Sequence, residues 1–156
     1  MKRLIFAALC CITLCAGAQE ATIGSLFRNM PDSLMPYLSH NSRLDMLDFM
    51  DAHMKAEVTN LLGGKSEMTA LTPDSLSIRM NGSLLVEMKL AAGQTADSSR
   101  VVILRRTYSL HGQQKERIKD TYTTDWHLLS SHVEQSSLLL RDAKADYEYM
   151  FTNKKQ

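Results

Sequence analysis

Leu76-Ser77-Ile78-Arg79-Met80-Asn81-Gly82-Ser83-Leu84-Leu85-Val86-Glu87-Met88-Lys89-Leu90 alternates apolar and polar residues on both sides of an Asn-Gly dipeptide. Successive side chains of a strand point to opposite faces. This period of two therefore predicts a hairpin with Leu76, Ile78, Met80, Leu84, Val86, Met88 and Leu90 on one face. Ser77, Arg79, Leu85, Glu87 and Lys89 fall on the other. A two-residue loop at Asn81-Gly82 would pair Ile78 with Leu85 and Leu76 with Glu87, mixing the two faces. A three-residue loop, Met80-Asn81-Gly82 with Gly82 left-handed in a bulge, pairs Ile78 with Leu84 and Leu76 with Val86 and keeps them apart.

Working outward, Met68 to Leu71 reads as a preceding strand, set off by a turn at Thr72-Pro73-Asp74. After a small-residue loop from Ala91 to Ser99, Arg100 to Tyr108 and Glu116 to Thr124 form a second hairpin through His111-Gly112. Ile118 and Tyr122 are the large apolar residues of its second strand, and the charges around them suit a sheet edge. Further on, Leu138 to Leu140 reads as a short strand and Asp142 to Phe151 as a terminal helix, followed by a frayed tail, 152–156.

Upstream, residues 19–41 read as short helical turns around Leu26-Phe27 and Leu34-Met35. A longer helix is expected from Ser42 to Met54, capped by Asn41 or Ser42 and carrying Asp45 in its first turn. At about 100° per residue, Met46, Leu47, Met50, Met54 and Val58 gather on one side, and Asp45, Asp48, Asp51 and Lys55 on the other. The stretch to Leu62 either continues this helix to a cap at Gly63 or breaks at Val58-Thr59-Asn60. The expected fold class is α+β, an N-terminal helix packed on an antiparallel β-meander sheet in a single domain, 19–151.

The chain opens with Lys2 and Arg3, an apolar run from Leu4 to Ala16, and Ala16-Gly17-Ala18, the pattern of a cleavable signal peptide over 1–18. The run is shorter than the roughly 20 residues a membrane-spanning helix needs, so no transmembrane anchor is expected after cleavage near Ala18. Cys10, Cys11 and Cys15 all lie in this leader, which excludes disulfides, zinc-thiolate sites and a catalytic cysteine from the mature chain. The 18 basic residues less Lys2 and Arg3 leave 16 against 17 acidic ones, so nothing in the charge points to nucleic acid. The expected localisation is exported, in the periplasm, at the cell surface or secreted.

Gly63-Gly64-Lys65-Ser66 looks like the end of a phosphate-binding loop, but Thr59 stands where that motif needs its first glycine. It reads as a helix-to-strand turn. His40, His53, His111, His127 and His132 show no His-x-x-x-His spacing, so no metal site and no cofactor are expected. His53 and His127, the latter with Asp125, are the candidate catalytic residues, as a base oriented by a carboxylate. No Gly-x-Ser-x-Gly elbow exposes a serine nucleophile. Arg79, Leu85, Glu87 and Lys89, on the uncovered face of the first hairpin, are the candidate binding residues.

Phe27-Arg28-Asn29-Met30-Pro31, Asn41-Ser42-Arg43-Leu44-Asp45-Met46-Leu47-Asp48, Gly63-Gly64-Lys65-Ser66 and Asp125-Trp126 together resemble a family of exported Bacteroidales proteins of unknown function, over residues 20–126. The resemblance implies an N-terminal helical part and an antiparallel sheet, and carries no catalytic residue with it. It also implies that Ser33 and Ser75, in Asp32-Ser33-Leu34 and Asp74-Ser75-Leu76, match the O-glycosylation pattern of such bacteria. The expected role is a noncatalytic envelope or secreted module with a protein or glycan partner. The alternatives are a periplasmic hydrolase and a structural accessory in envelope assembly.

Overall fold

The computed structural model describes residues 21–93, 100–111 and 113–135. The expected signal peptide, the strand Leu138 to Leu140, the helix Asp142 to Phe151 and the tail lie outside them. Seven strands form one antiparallel sheet in sequence order: β1 (Ala56–Thr59), β2 (Lys65–Leu71), β3 (Ser75–Arg79), β4 (Leu84–Ala92), β5 (Arg100–Leu110), β6 (Gln113–Thr123) and β7 (Leu128–Gln135). Two helices precede it, α1 (Ile23–Arg28) and α2 (His40–Asp51), with a single 3-10 turn at Asp32–Leu34 between them. The described part is thus α+β and mostly sheet.

The alternation around Asn81-Gly82 holds, with Leu76, Ile78, Met80, Leu84, Val86, Met88 and Leu90 all buried. The register does not follow the expectation. Ile78 pairs with Val86 and Leu76 with Met88, two residues beyond the expected partners. The Met80 amide closes the loop on the Leu84 carbonyl, and the Asn81 side chain accepts from the amides of Ser83 and Leu84. This local carboxamide turn makes Asn81-Gly82-Ser83 the loop. Gly82 is not left-handed, and no bulge forms there. The shift is even, so each side chain keeps its face.

A bulge does occur in β2, where Met68 opposes Ile78 but Ala70 opposes Ser77. The extra residue, Thr69, turns Leu71 back to the inner face opposite Leu76. The segment Ala56 to Thr59 is a strand, so Gly63-Gly64 joins two strands rather than a helix and a strand. Asn60 organises that turn: its side-chain oxygen accepts from Leu62 and Gly64, and its side-chain nitrogen donates to Ser66 and the Met80 carbonyl. Gly63 has φ +79°, a conformation a side chain would strain. The second expected hairpin is present, but β6 is interior to the described sheet, because 128–135, which the sequence reading left open, adds β7 beside it.

The longer helix starts earlier than expected. Ser39 caps it, its hydroxyl accepting from the Ser42 amide, so Asp45 stands outside the first turn. It ends at Asp51, which leaves Met54 beyond it and 59% exposed, against the buried stripe expected. Met46 and Leu47 are buried in one core cluster with Ile23, Leu26 and Phe27 of α1 and the inner-face residues of the strands. The Ile23 amide donates to the Pro73 carbonyl, tying the start of α1 to the β2–β3 turn.

Arg43 of α2 is 1% exposed and donates through Nη2 to Asp32 at 2.6 Å, while Asp32 itself is 74% exposed. Its Nε and Nη1 are buried without partners among the described residues. The guanidinium therefore depends on one carboxylate on the 3-10 turn, with His40 Nδ1 at 3.4 Å beside it. Asp32→Ala strands a buried cation and should cost about 3 kcal/mol. Arg43→Met combined with Asp32→Ala removes both charges and should recover most of that loss. Urea unfolding of the two variants checks this; equal losses would show that the carboxylate does not sustain the buried cation.

Candidate functional site

The β6–β7 turn collects the titratable side chains that come closest to a reactive pair. Thr123 ends β6, and its hydroxyl donates to one oxygen of Asp125 while accepting from the His127 amide at 3.0 Å. The other oxygen of Asp125 lies 3.1 Å from His127 Nε2. The Asp125–His127 pair singled out in the sequence is therefore brought together, but at the surface, with side chains 68% and 80% exposed. The Thr123 hydroxyl is the main reason the Asp125 carboxyl lies below its ordinary range, with its own backbone N–H and His127 adding to this.

Between the pair stands Trp126 at φ 69°. A bulky residue held left-handed costs about 1–3 kcal/mol and persists only where its surroundings fix it. Here the indole packs on Tyr122, ring centroids 5.8 Å apart, and against the core cluster, and its Nε1 is buried without a partner among the described residues.

Deeper on the same inner face, Asp120 is buried with an ion pair to Arg106 and a hydrogen bond from the Ser131 hydroxyl. Burial, reinforced by the negative charge of Asp120, pushes the Tyr122 hydroxyl upward. This group of residues is structural in character: Asp120 has its oxygens occupied and lies away from solvent.

His53 is not brought to a carboxylate. It follows α2 in a left-handed conformation, φ 54°, exposed at the mouth of a cavity of about 650 Å³ that also involves Arg28, Asp51 and an apolar floor of Leu47, Met50 and Leu71. Among the described residues His127 is the histidine with a carboxylate partner. No group of three or more His, Cys, Asp or Glu there is placed to hold a metal ion. No helix among them is long and apolar enough to cross a membrane.

The four candidate binding residues do share the outer face. Arg79 opposes Leu85, and Glu87 and Lys89 follow along β4. Ion pairs cross this face from Arg79 to Glu67 at 3.5 Å, from Arg105 to Glu87 at 3.5 Å and from Arg117 to Glu134 at 3.7 Å. Lys89 and Lys119 carry no such pair among the described residues, so they are the excess charge of the ladder. Arg105, Arg117 and Lys119 also stand on this face; the flanking of Ile118 by Arg117 and Lys119 was the available signal for those two, whereas Arg105, followed by Arg106, shows no alternation.

Of the two serines in the glycosylation-type triplets, Ser33 is exposed. Ser75 is half-buried, its hydroxyl bonded to Thr72 at 2.8 Å.

Residues 15–156 match a family model described as "Protein of unknown function (DUF3256)". No curated protein matches the chain. A solved domain of an uncharacterised protein from Porphyromonas gingivalis W83, an organism of the Bacteroidales, is similar in fold, with a TM-score of 0.56 and 24% identity. The match covers 69% of this chain and 52% of that one, so the chain spans about half the length of the structure it resembles.

The Thr123 contact predicts a pH effect of definite sign. A depressed carboxyl favours the fold above its ordinary range, and that contribution is lost as pH falls through the folded-state value. Thr123→Val should move the Asp125 titration upward toward the ordinary carboxylate range, read by NMR of the side-chain carboxyl carbon. An unmoved titration would show that the hydroxyl is not the cause.

Proposed function

Because the chain belongs to the DUF3256 family, described only as of unknown function, we propose its role from its own geometry: a noncatalytic, exported binding module of the envelope or its exterior. In this reading the two helices cover the inner face of the meander and leave the outer face to a partner. The observation that carries it is the outer-face ladder, in which three cross-strand ion pairs hold side chains in register around Lys89 and Lys119, which carry no ion pair among the described residues. Ordered, half-exposed charge pairs on a flat sheet supply contact specificity more than affinity, and these two cations favour an acidic contact surface on a protein or glycan. Export rests on the leader-like residues 1–18.

Fractionation of cells followed by pull-down from envelope extract tests the reading. The expected outcome is a processed chain beginning near Gln19 outside the cytoplasm. Its partner should be retained by wild type and lost by Lys89→Glu with Lys119→Glu, while thermal unfolding stays unchanged. A chain that keeps its leader in the cytoplasm, or a partner held equally by both forms, overturns it.

The Asp125–His127 contact favours a second reading, a hydrolase in which His127 is the base. Replacing His53 and His127 together should then abolish turnover of its substrate, and activity that survives removes the reading.

A further inference from the structure

On the inner-face side, away from the charged ladder, α1 and the β6–β7 turn enclose a cleft of about 600 Å³, within the roughly 300–1,000 Å³ typical of small-molecule sites. Thr22, Ser25, Leu26 and Asn29 line one wall, and Asp125 and Trp126 the other. Thr22 and Ser25 are occupied with each other in a capping box that closes the start of α1. Asn29 donates through its side-chain nitrogen to the Ser25 carbonyl at 3.0 Å, which leaves its side-chain oxygen to accept. Asp125 accepts from Thr123 on one oxygen, faces His127 with the other and also receives its own backbone N–H, which leaves about one of its roughly four lone-pair sites to accept.

Two costs fall on Trp126 that core packing does not require. Its backbone is left-handed, and its indole N–H is buried with no partner among the described residues. A phenylalanine would bury a ring against Tyr122 without the polar cost, so packing on Tyr122 alone does not call for an indole.

The Trp126 indole, apolar Leu26 and the two acceptors are complementary to a ring whose C–H face is apolar and whose edge carries hydroxyls. An anion is disfavoured by Asp125. An organic cation is a poorer fit, since a single indole makes no cage and Asp125 already faces His127. We propose that this cleft binds a neutral sugar unit of a glycan, its ring stacked on Trp126 and its hydroxyls donated to Asp125 and Asn29. The proposal goes beyond the outer-face reading and does not depend on it.

Trp126 is the single tryptophan of the chain, so intrinsic fluorescence reports this cleft alone. The protein is titrated with glucose, galactose, mannose, N-acetylglucosamine and their disaccharides, with tetramethylammonium chloride as the cationic probe. The expected result is a saturable shift of Trp126 emission with at least one neutral sugar. Asp125→Ala and Asn29→Ala should each weaken it roughly tenfold, the loss of one strong hydrogen bond, with unfolding transitions confirming that both variants are folded. Lys89→Glu with Lys119→Glu should leave it unchanged, which separates this site from the outer face. No shift with any sugar, a shift with tetramethylammonium alone, or sugar binding unaffected in both cleft variants overturns the proposal.

Discussion

A sheet that carries apolar side chains on one face must find cover for that face, and here the cover within the described residues comes from two short helices. Ile23, Leu26, Phe27, Met46 and Leu47 share one buried cluster with Met68, Ile78, Val86, Met88 and Leu104. Where the inner face runs past Leu104, the sequence changes character, and Arg106, Asp120 and Ser131 stand beside Ile118 and Val133. The ion pair stands at the margin of the apolar cover, where a charge still finds a partner and a lone aliphatic side chain would be half wet. Trp126 and Tyr122 stand at the same margin, which is why the β6–β7 turn combines packing with exposed titratable groups.

The helical side meets the same constraint by a different route. α2 presents Arg43, Met46, Leu47 and Met50 at the spacing of a helical stripe, so the stripe begins with a cation. Burying it required a carboxylate from outside the helix, and the 3-10 turn at Asp32–Leu34 supplies Asp32. The link holds the segment between the helices to α2 and fixes where Met30, Met35 and Leu38 enter the core. The stripe was visible in the sequence. Its charged first member was not read as buried, because arginine is rarely buried without a partner and the partner lies eleven residues upstream.

Alternation was legible wherever two strands meet through a short loop and one face is fully covered, as in β3 and β4. It failed at irregular positions. Thr69 reverses the parity of β2, and the Asn81 carboxamide sets a loop closure that counting residues does not reveal. The four residues of β1 carry too short a pattern to separate strand from helix, and the charges around Ile118 suggested an edge although Asp120 is buried and paired with Arg106, while Arg117 and Lys119 lie on the outer face. At the candidate sites, the closeness of Asp125 and His127 followed from their spacing in a tight turn. The left-handed Trp126 between them did not, since nothing in the residue type foretells it. His53 was legible as a border residue of the helix, but no carboxylate was brought to it.

Each strand is bonded only to its neighbours along the chain, and this meander has a temporal consequence. Hairpin contacts are local and close rapidly, so the sheet can zip in either direction from the β3–β4 turn without waiting for distant segments. The helices emerge first in the chain, yet their apolar residues have no surface to settle on until β2, β3 and β4 are joined. Helix docking is therefore expected to follow assembly of the sheet. Before that, Ile23, Leu26 and Phe27 would stand without the sheet that buries them, an apolar surface open to association with other chains.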